Sequence, residues 1–151
     1  MPIRFFTEQI DFKLTKSGDI SAWLSSIASI YKHEILDLNV IFTSDQHLLK
    51  VNQDFLNHDY YTDIITFDNS EESQKIEAEI YISIQRVEEN ATNFNVSFDQ
   101  ELSRVIAHGL LHLLGFQDHT AEDKRLMRQK EEQCLSLLSK DVSRETSTQT
   151  D

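Results

Sequence analysis

Residues 104–119 read RVIAHGLLHLLGFQDH, an apolar helical pattern that is interrupted by two histidines. His108 and His112 lie four residues apart, so on a helix their side chains share one face, about one turn apart. Leucines surround them and make the helix apolar nearly all round, which places it in the core. Imidazoles in such a setting are costly unless they share a partner. The pattern therefore predicts a buried helix that offers two histidines to one metal ion.

A turn and a further ligand follow the histidine pair. Gly115 is the residue most able to adopt the left-handed conformation that ends a helix. Asp118 and His119 come just past this turn, and either can return as a third ligand. Two histidines and one further ligand leave a fourth position open for water, which is typical of a catalytic metal site. The alternative is a pair of partly buried imidazoles that need no metal.

Glycine is scarce in this chain, and its positions are informative. Average usage predicts about ten glycines at this length, whereas the chain has three. Gly109 costs a helix about 1 kcal/mol relative to alanine, and we expect it to admit another backbone or a substrate. Zinc proteases of the H-E-x-x-H type carry a glutamate directly after the first histidine. Because Gly109 occupies that place, peptide hydrolysis by that mechanism is disfavoured.

Hydrophobic periodicity predicts the remaining elements of the fold. Strands are expected at residues 3–6, 36–43, 63–68 and 76–83, and helices at residues 19–32, 84–94, 98–114 and 121–139, with one more after the helix cap Ser44. Ser97 with Gln100 and Thr120 with Asp123 are expected to form capping boxes at two helix starts. The sequence therefore predicts one α/β domain, with a small mixed sheet of about four strands packed with about five helices.

Composition excludes several classes of protein. The chain has 151 residues, of which 39% are hydrophobic, and a formal net charge of −12. This negative charge argues against a non-specific binder of polyanions. With Cys134 as its single cysteine the sequence has no internal disulfide. No stretch fits a signal peptide or a membrane span, so we expect a cytoplasmic protein. Residues 1–139 form the expected domain, and residues 140–151 a polar, disordered tail.

Three stretches resemble one known family. Residues 108–119 are similar to the signature H-G-x-L-H-L-x-G-Y-D-H of the YbeY family, which His108, Gly109, Leu111, His112, Leu113 and Gly115 match in place. A second family pattern, N-x-x-Y-R-x-x-D-x-x-T-D-V-L-S-F-P, is matched by Asn52, Asp59, Thr62, Asp63 and Phe67. The segment EIYIS at residues 79–83 resembles a family strand. The resemblance covers about residues 36–130, and it implies a single α/β domain with a small mixed sheet.

The resemblance also implies a function and a cofactor. The family consists of bacterial metal-dependent endoribonucleases, so the chain is expected to cut single-stranded RNA in ribosomal RNA processing and ribosome maturation. Zinc is the expected metal, with one ion in each chain, and ribosomal RNA is the implied partner. The charge of −12 hinders encounter with RNA, so a ribosomal protein or assembly factor is a further expected partner. We expect a monomer that has no membrane contact.

The chain departs from the family patterns at three places. The family's third histidine falls ten residues after the first, where this chain has Asp118, and His119 comes one residue later. Carboxylate oxygen is an acceptable zinc donor, so the spacing slightly favours Asp118. Phe55 and Leu56 stand where the family has Tyr-Arg, and an arginine there would be a natural phosphate partner. Asp68 replaces a proline at a strand end.

Further candidates surround the metal-binding motif. Arg104 lies one turn before His108 and can present a guanidinium to a phosphate, although an ion pair near Glu101 is an equal alternative. Asp59 and Asp63 are candidates to accept a hydrogen bond from a ligand histidine and so orient it. The ordinary alternatives are an Asx turn for Asp59 and the start of a strand for Asp63. The basic residues of the last helix are interpreted as a solvated face paired with two glutamates: Lys124, Arg125, Arg128 and Lys130 with Glu131 and Glu132. Cys134 is expected in the core.

The residues thus predict a zinc ion held by His108, His112 and either Asp118 or His119. It would activate water and polarise a phosphoryl oxygen of RNA, with attack by hydroxide or by the ribose 2′-hydroxyl. One alternative is a non-catalytic, zinc-stabilised ribosome-assembly factor, which the missing arginine and the missing glutamate both favour. Another is a hydrolase of some other small substrate. Loss of RNA cleavage in folded His112→Ala would separate the nuclease from the assembly factor.

Overall fold

The computed structural model describes the backbone of residues 2–57 and 61–150 and, within these ranges, the side chains as far as residue 138. Its elements are β1 (Ile3–Glu8), α1 (Ser17–Ile30), β2 (Glu34–Thr43), α2 (Asp45–Leu56), β3 (Ile64–Asp68), β4 (Lys75–Ser83), α3 (Ile84–Phe94), α4 (Phe98–Leu113) and α5 (Ala121–Thr150). The predicted single α/β domain with four strands and five helices is confirmed.

The four strands form one mixed sheet in the order β1-β2-β4-β3. β1, β2 and β4 run parallel, and β3 pairs antiparallel with β4. Alternate residues of β4 are buried, from Ile76 to Ile82, and join the main core against α1 and α4. Helix α2 covers part of the opposite face, where Leu48 and Val51 pack with Ile65. The sheet therefore has helices on both faces, with α4 in the main core.

Helix α4 lies close against the sheet at Gly109. A Cβ atom at this position would lie 2.8 Å from Cδ1 of Ile64 and 3.0 Å from Cδ1 of Ile80. Both distances are shorter than ordinary van der Waals contact, so only glycine fits without rearrangement. The sequence correctly indicates a close approach here. The expected neighbour was wrong, however, because the side chains of β3 and β4 fill the space rather than another backbone or a substrate.

The start of α5 carries the predicted capping box. The backbone N–H of Asp123 donates to Oγ1 of Thr120 at 3.0 Å, and the backbone N–H of Thr120 donates to Oδ2 of Asp123 at 3.3 Å. The helix continues to Thr150, past the predicted end at residue 139, because no glycine or proline interrupts it. The disordered tail over residues 140–151 stays a prediction.

Replacing Gly109 by alanine should lower the free energy of unfolding by about 1 kcal/mol, because crowding against Ile64 and Ile80 outweighs the better helix propensity of alanine. The matched control is Gly18→Ala in the first turn of α1, where the added Cβ meets nothing within 4 Å. Urea unfolding compares both variants with the wild type. Equal stabilities of Gly109→Ala and Gly18→Ala would contradict this account of the packing.

Cys134 is buried, as predicted, and should be a slow nucleophile. Burial raises the pKa of its thiol from 9.0 to about 11, which lowers the reactive thiolate about a hundredfold. We expect iodoacetamide at about pH 8 to alkylate the folded chain at least about a hundredfold more slowly than the unfolded chain. Mass spectrometry over time measures both rates. Comparable rates in the two states would show that the thiol is accessible in the fold.

Candidate metal centre

The two predicted histidines meet a carboxylate at one point. Nε2 of His108 lies 3.0 Å from Nε2 of His112 on the same face of α4. Oδ2 of Asp118 lies 3.4 Å from each of these nitrogens. One ligand atom from each of the three residues lies within 4.8 Å of the others, and all three residues are half-buried. The structure thus brings Asp118 to the histidine pair, whereas His119 is exposed and does not join this cluster.

The turn after α4 explains how Asp118 returns to the histidines. Gly115 has φ +106°, in the left-handed region where glycine carries no side-chain penalty. Its N–H donates to the carbonyl of His112, and the next N–H, of Phe116, donates to the carbonyl of Leu111, each at 3.0 Å. This pair of hydrogen bonds is the Schellman motif, which closes a helix and reverses the chain. The glycine that the sequence singled out therefore directs the chain so that Asp118 meets the histidine pair.

Aromatic contacts hold the same turn in place. The ring of Phe116 packs edge-on against Tyr31, with centroids 5.4 Å apart. The ammonium of Lys130 lies 5.8 Å from each of these two ring centroids. These contacts tie the turn to the end of α1 and to α5, at a distance where cation–π attraction acts. Lys130 therefore has a structural partner within the chain.

The donor set of this cluster fits a metal ion. Imidazole nitrogen and carboxylate oxygen are ordinary ligands of zinc and of other divalent transition metals. A histidine binds a metal through a neutral ring. Burial, followed by the neighbouring His108, lowers the pKa of His112, which keeps that ring neutral near pH 7. Three protein ligands leave coordination positions for water or substrate.

Glu131 of α5 fixes the orientation of His108. Its Oε2 lies 2.6 Å from Nδ1 of His108, and the carboxylate is almost fully buried. Burial opposes ionisation, but the hydrogen bond with His108 and the charge of Arg104 outweigh it and lower the pKa of Glu131. An ionised carboxylate can only accept, so Nδ1 of His108 donates. The lone pair of His108 is then on Nε2, which faces Asp118 and His112.

Arg104 lies between two buried glutamates. Its Nε and Nη2 donate to Oε1 and Oε2 of Glu101 at 3.0 Å and 2.7 Å, and its Nη1 donates to Oε1 of Glu131 at 3.1 Å. The bidentate hydrogen bond with Glu101 raises the pKa of Arg104 above its ordinary value. The ion pair that the sequence offered as an alternative is therefore present. A direct contact between Arg104 and phosphate stays a prediction.

The two candidate aspartates have different outcomes. Asp63 precedes β3, and its Oδ2 lies 3.4 Å from Nδ2 of Asn90 and 3.9 Å from Nη2 of Arg104. Burial raises the pKa of Asp63, against the opposing effect of Arg104. Among its described contacts Asp63 reaches the site through Arg104 rather than through a hydrogen bond to a histidine. Asp59 lies outside the described residues, and its predicted role stays a prediction.

The role of Glu131 in the site was missed in the sequence, and Glu101 was named there only as an ion-pair partner of Arg104. Glu101 and Glu131 are 2% and 5% exposed, so the interpretation of Glu131 as part of a solvated face was wrong. A signal was present, because Met127, Glu131 and Cys134 follow helical spacing and are all buried. A glutamate within such an apolar stripe needs a partner. Glu132, its neighbour in sequence, is exposed as predicted.

A small α/β domain that gathers two helical histidines and a carboxylate at one point has the donor set of a metal-dependent hydrolase. Comparisons with known proteins identify the group more closely. The profile of the family Endoribonuclease YbeY matches residues 4–139. The chain belongs to this family, and the family predicted from the sequence motifs is confirmed.

Individual relatives cover most of the chain. It is 53% identical over 135 residues to an Endoribonuclease YbeY of Cytophaga hutchinsonii, and the aligned region covers 89% of this chain and 94% of that relative. It is 44% identical over 135 residues to one of Christiangramia forsetii, with coverage of 89% and 93%. The solution structure of TM1509 from Thermotoga maritima matches with a TM-score of 0.63 and 33% identity, over 97% of this chain and 95% of that one. Among the described residues, no helix has the length and apolar character required to cross a membrane.

Replacing Glu131 by glutamine should weaken zinc binding about 10- to 100-fold, the usual effect of losing the residue that orients a ligand histidine. Glutamine keeps the size of the side chain but loses the charge that holds the proton on Nδ1 of His108. Competition with a chromophoric chelator measures the zinc affinity. Glu132→Gln is the matched control, since it removes one exposed carboxylate next to the buried one. If both variants bind zinc as the wild type does, Glu131 does not orient the site.

Proposed function

We propose that this chain is a zinc-dependent endoribonuclease that cleaves single-stranded RNA during ribosomal RNA processing. The single observation that carries the proposal is the cluster of His108, His112 and Asp118, in a chain whose family is named for endoribonuclease activity. Ribosomal RNA as the substrate implies a cytoplasmic location. We further propose that the protein acts as a monomer.

The residues that would hold the zinc ion are His108 and His112 through Nε2, and Asp118 through its carboxylate. Asp118 is preferred over His119 because the former lies 3.4 Å from both Nε2 atoms, whereas the side chain of the latter is exposed. Zinc bound there would supply a Lewis acid for a phosphoryl oxygen and a water of lowered pKa.

The rest of the network acts by positioning. Glu131 keeps the proton of His108 on Nδ1 and so directs the Nε2 lone pair toward Asp118. Arg104 holds the other oxygen of Glu131, and Glu101 holds Arg104. Because the guanidinium already donates to two carboxylates, we assign Arg104 to positioning Glu131, and its contact with phosphate remains the weaker alternative.

The charge of the chain bears on how RNA reaches the site. A formal net charge of −12 repels a phosphate backbone at long range. We therefore propose that a ribosomal protein or another assembly factor brings the enzyme to its RNA. Binding of isolated RNA that is equally tight with and without such a partner, at physiological salt, would contradict this part of the proposal.

One observation favours a second function. Leu56, at the end of α2, stands where the family pattern has arginine, so a cationic group that could bind phosphate is missing from this position. A zinc-stabilised assembly factor without catalytic activity would tolerate that loss. Such a protein would bind zinc and RNA but would leave the RNA uncut.

Replacing the ligands one at a time tests the proposal. We expect His112→Ala and Asp118→Ala to lose both bound zinc and RNA cleavage, whereas His119→Ala keeps both because its side chain is exposed and outside the cluster. Elemental analysis measures zinc, gel electrophoresis measures the cutting of a single-stranded RNA, and circular dichroism confirms that each variant is folded. His119→Ala is the matched control, one residue away from Asp118.

Each contrary result has a definite meaning. Loss of zinc in His119→Ala but not in Asp118→Ala would assign the third ligand to His119. A zinc-loaded wild type that leaves every RNA uncut would favour the assembly factor. A wild type that holds no zinc after purification without chelators would overturn the metal site.

A further inference from the structure

A cavity of about 460 Å³ lies between the end of α3, the first half of α4 and α5, and its lining on α4 ends at Arg104, one turn before His108. Its volume is in the range of pockets that bind small molecules, about 300–1,000 Å³. Phe94, Val96 and Leu135 form an apolar wall, and Glu101, Arg104 and Glu131 line the polar side. The sequence motifs gave no sign of this cavity, because its walls come from three separate helices.

The cavity and the metal centre share one carboxylate, that of Glu131. Oε1 of Glu131 accepts from Arg104 at 3.1 Å, and Oε2 of the same carboxylate lies 2.6 Å from Nδ1 of His108. Arg104 and Glu131 both line the cavity, whereas Nε2 of His108 faces His112 and Asp118. The cavity lies along residues 100–104 of α4, so a strand that runs from the metal centre toward the first half of this helix would reach it.

The charges that line the cavity favour a neutral ligand over a phosphate. The lining residues include three glutamates, Glu101, Glu131 and Glu132, and two arginines, Arg104 and Arg128. Arg104 is already paired with the two buried glutamates. A phosphate would face surplus negative charge there. The nucleobase is the uncharged part of a nucleotide, and it is flat enough to lie along an apolar wall.

Phe94 supplies the surface on which a base can stack. Its side chain is 61% exposed although it lines the cavity, so its ring borders both the cavity and solvent. Proteins commonly hold unpaired bases by stacking them on exposed aromatic rings, which tolerates any sequence because every base has a π face. Arg128 is exposed and also lines the cavity, so its charge can meet the phosphate of the same nucleotide.

We infer that this cavity receives one unpaired base, stacked on Phe94, of the RNA strand that the metal centre holds. The inference rests on the proposed endoribonuclease function and adds a reason for single-strand specificity. A base that is paired and stacked in a duplex must leave its helix to enter a pocket, which costs a few kcal/mol. An unpaired base enters the pocket without this cost.

Binding of a short single-stranded RNA to the full, zinc-loaded chain tests the inference. The RNA carries 2′-O-methyl riboses, which block attack by the 2′-hydroxyl, and gel electrophoresis confirms that it stays intact. Fluorescence anisotropy gives the Kd. Phe94→Ala should weaken binding about tenfold, because base–aromatic stacking has about that effect. Phe94→Tyr should bind as the wild type does, since the ring is kept. Ile30→Ala is the control, because that side chain is 62% exposed on α1, away from the cavity.

A second set of RNAs locates the base. Each RNA lacks the base at one position and keeps its ribose and phosphate. At one position the loss should weaken binding to the wild type about tenfold but should have little effect on Phe94→Ala, since both changes remove the same contact. Unchanged binding by Phe94→Ala, an abasic effect of equal size in both proteins, or no RNA binding by the wild type would overturn the inference.

The binding assay keeps this inference separate from the proposed function. If binding depends on the base and on Phe94 while the wild type cuts no RNA, the pocket stands and the nuclease proposal fails. If the wild type cuts RNA but binding shows no dependence on any base, the nuclease proposal stands and the pocket is wrong.

Discussion

The contact between α4 and the sheet at Gly109 is the constraint on which the rest of the site depends. Because no side chain stands at that position, Ile64 and Ile80 reach into the space beside the helix. Helix residues are about 100° apart around the axis. With Gly109 against the sheet, His108 and His112 lie about 100° and about 60° around the axis from that contact, both on the same side of it, and Glu131 of α5 and Asp118 of the following turn reach them. A helix that is buried on its other faces thus presents one polar stripe, which carries the two histidines of the candidate site.

Polar groups on a core helix are stable only when other groups satisfy them. Glu101 and Glu131 are nearly fully buried, and isolated carboxylates in such places would be very costly. Arg104 pairs with both glutamates, and His108 takes the remaining oxygen of Glu131. A buried ion pair of this kind adds little net stability compared with well-packed apolar residues. The network instead fixes the orientation of the His108 ring and keeps its proton on Nδ1. The buried charges, which cost stability, are therefore the same groups that orient His108 in the candidate metal site.

Local signals in the sequence predicted much of this arrangement, and contacts between distant elements account for what was missed. The histidine pair, the glycine turn and Asp118 lie within a dozen residues, so helical spacing and turn chemistry were enough to predict that they meet. The sheet and the helices followed from periodicity, and only the C-terminal end of α5 was placed far too early. Glu131 was misread because its partner His108 belongs to another helix, and the pairing depends on how α4 and α5 cross. Gly109 signalled a close approach, but the sequence alone could not identify the isoleucines that make it.

The acidic character of the chain agrees with recognition of bases rather than of the phosphate backbone. Phosphate contacts made by lysine and arginine account for most non-specific affinity for nucleic acid, and this chain carries 14 such residues against 26 acidic ones. Within the described part of the site, Arg104 is paired with glutamates, and Leu56 stands at the place where the family pattern has arginine. A double helix presents mainly its phosphates, so the overall charge disfavours it. A single strand can also offer an unpaired base, and stacking of that base on Phe94 does not depend on net charge. On this inference, the negative charge weakens the binding of all RNA, and the stacking of an unpaired base restores affinity only for single strands. The charge therefore adds to single-strand specificity.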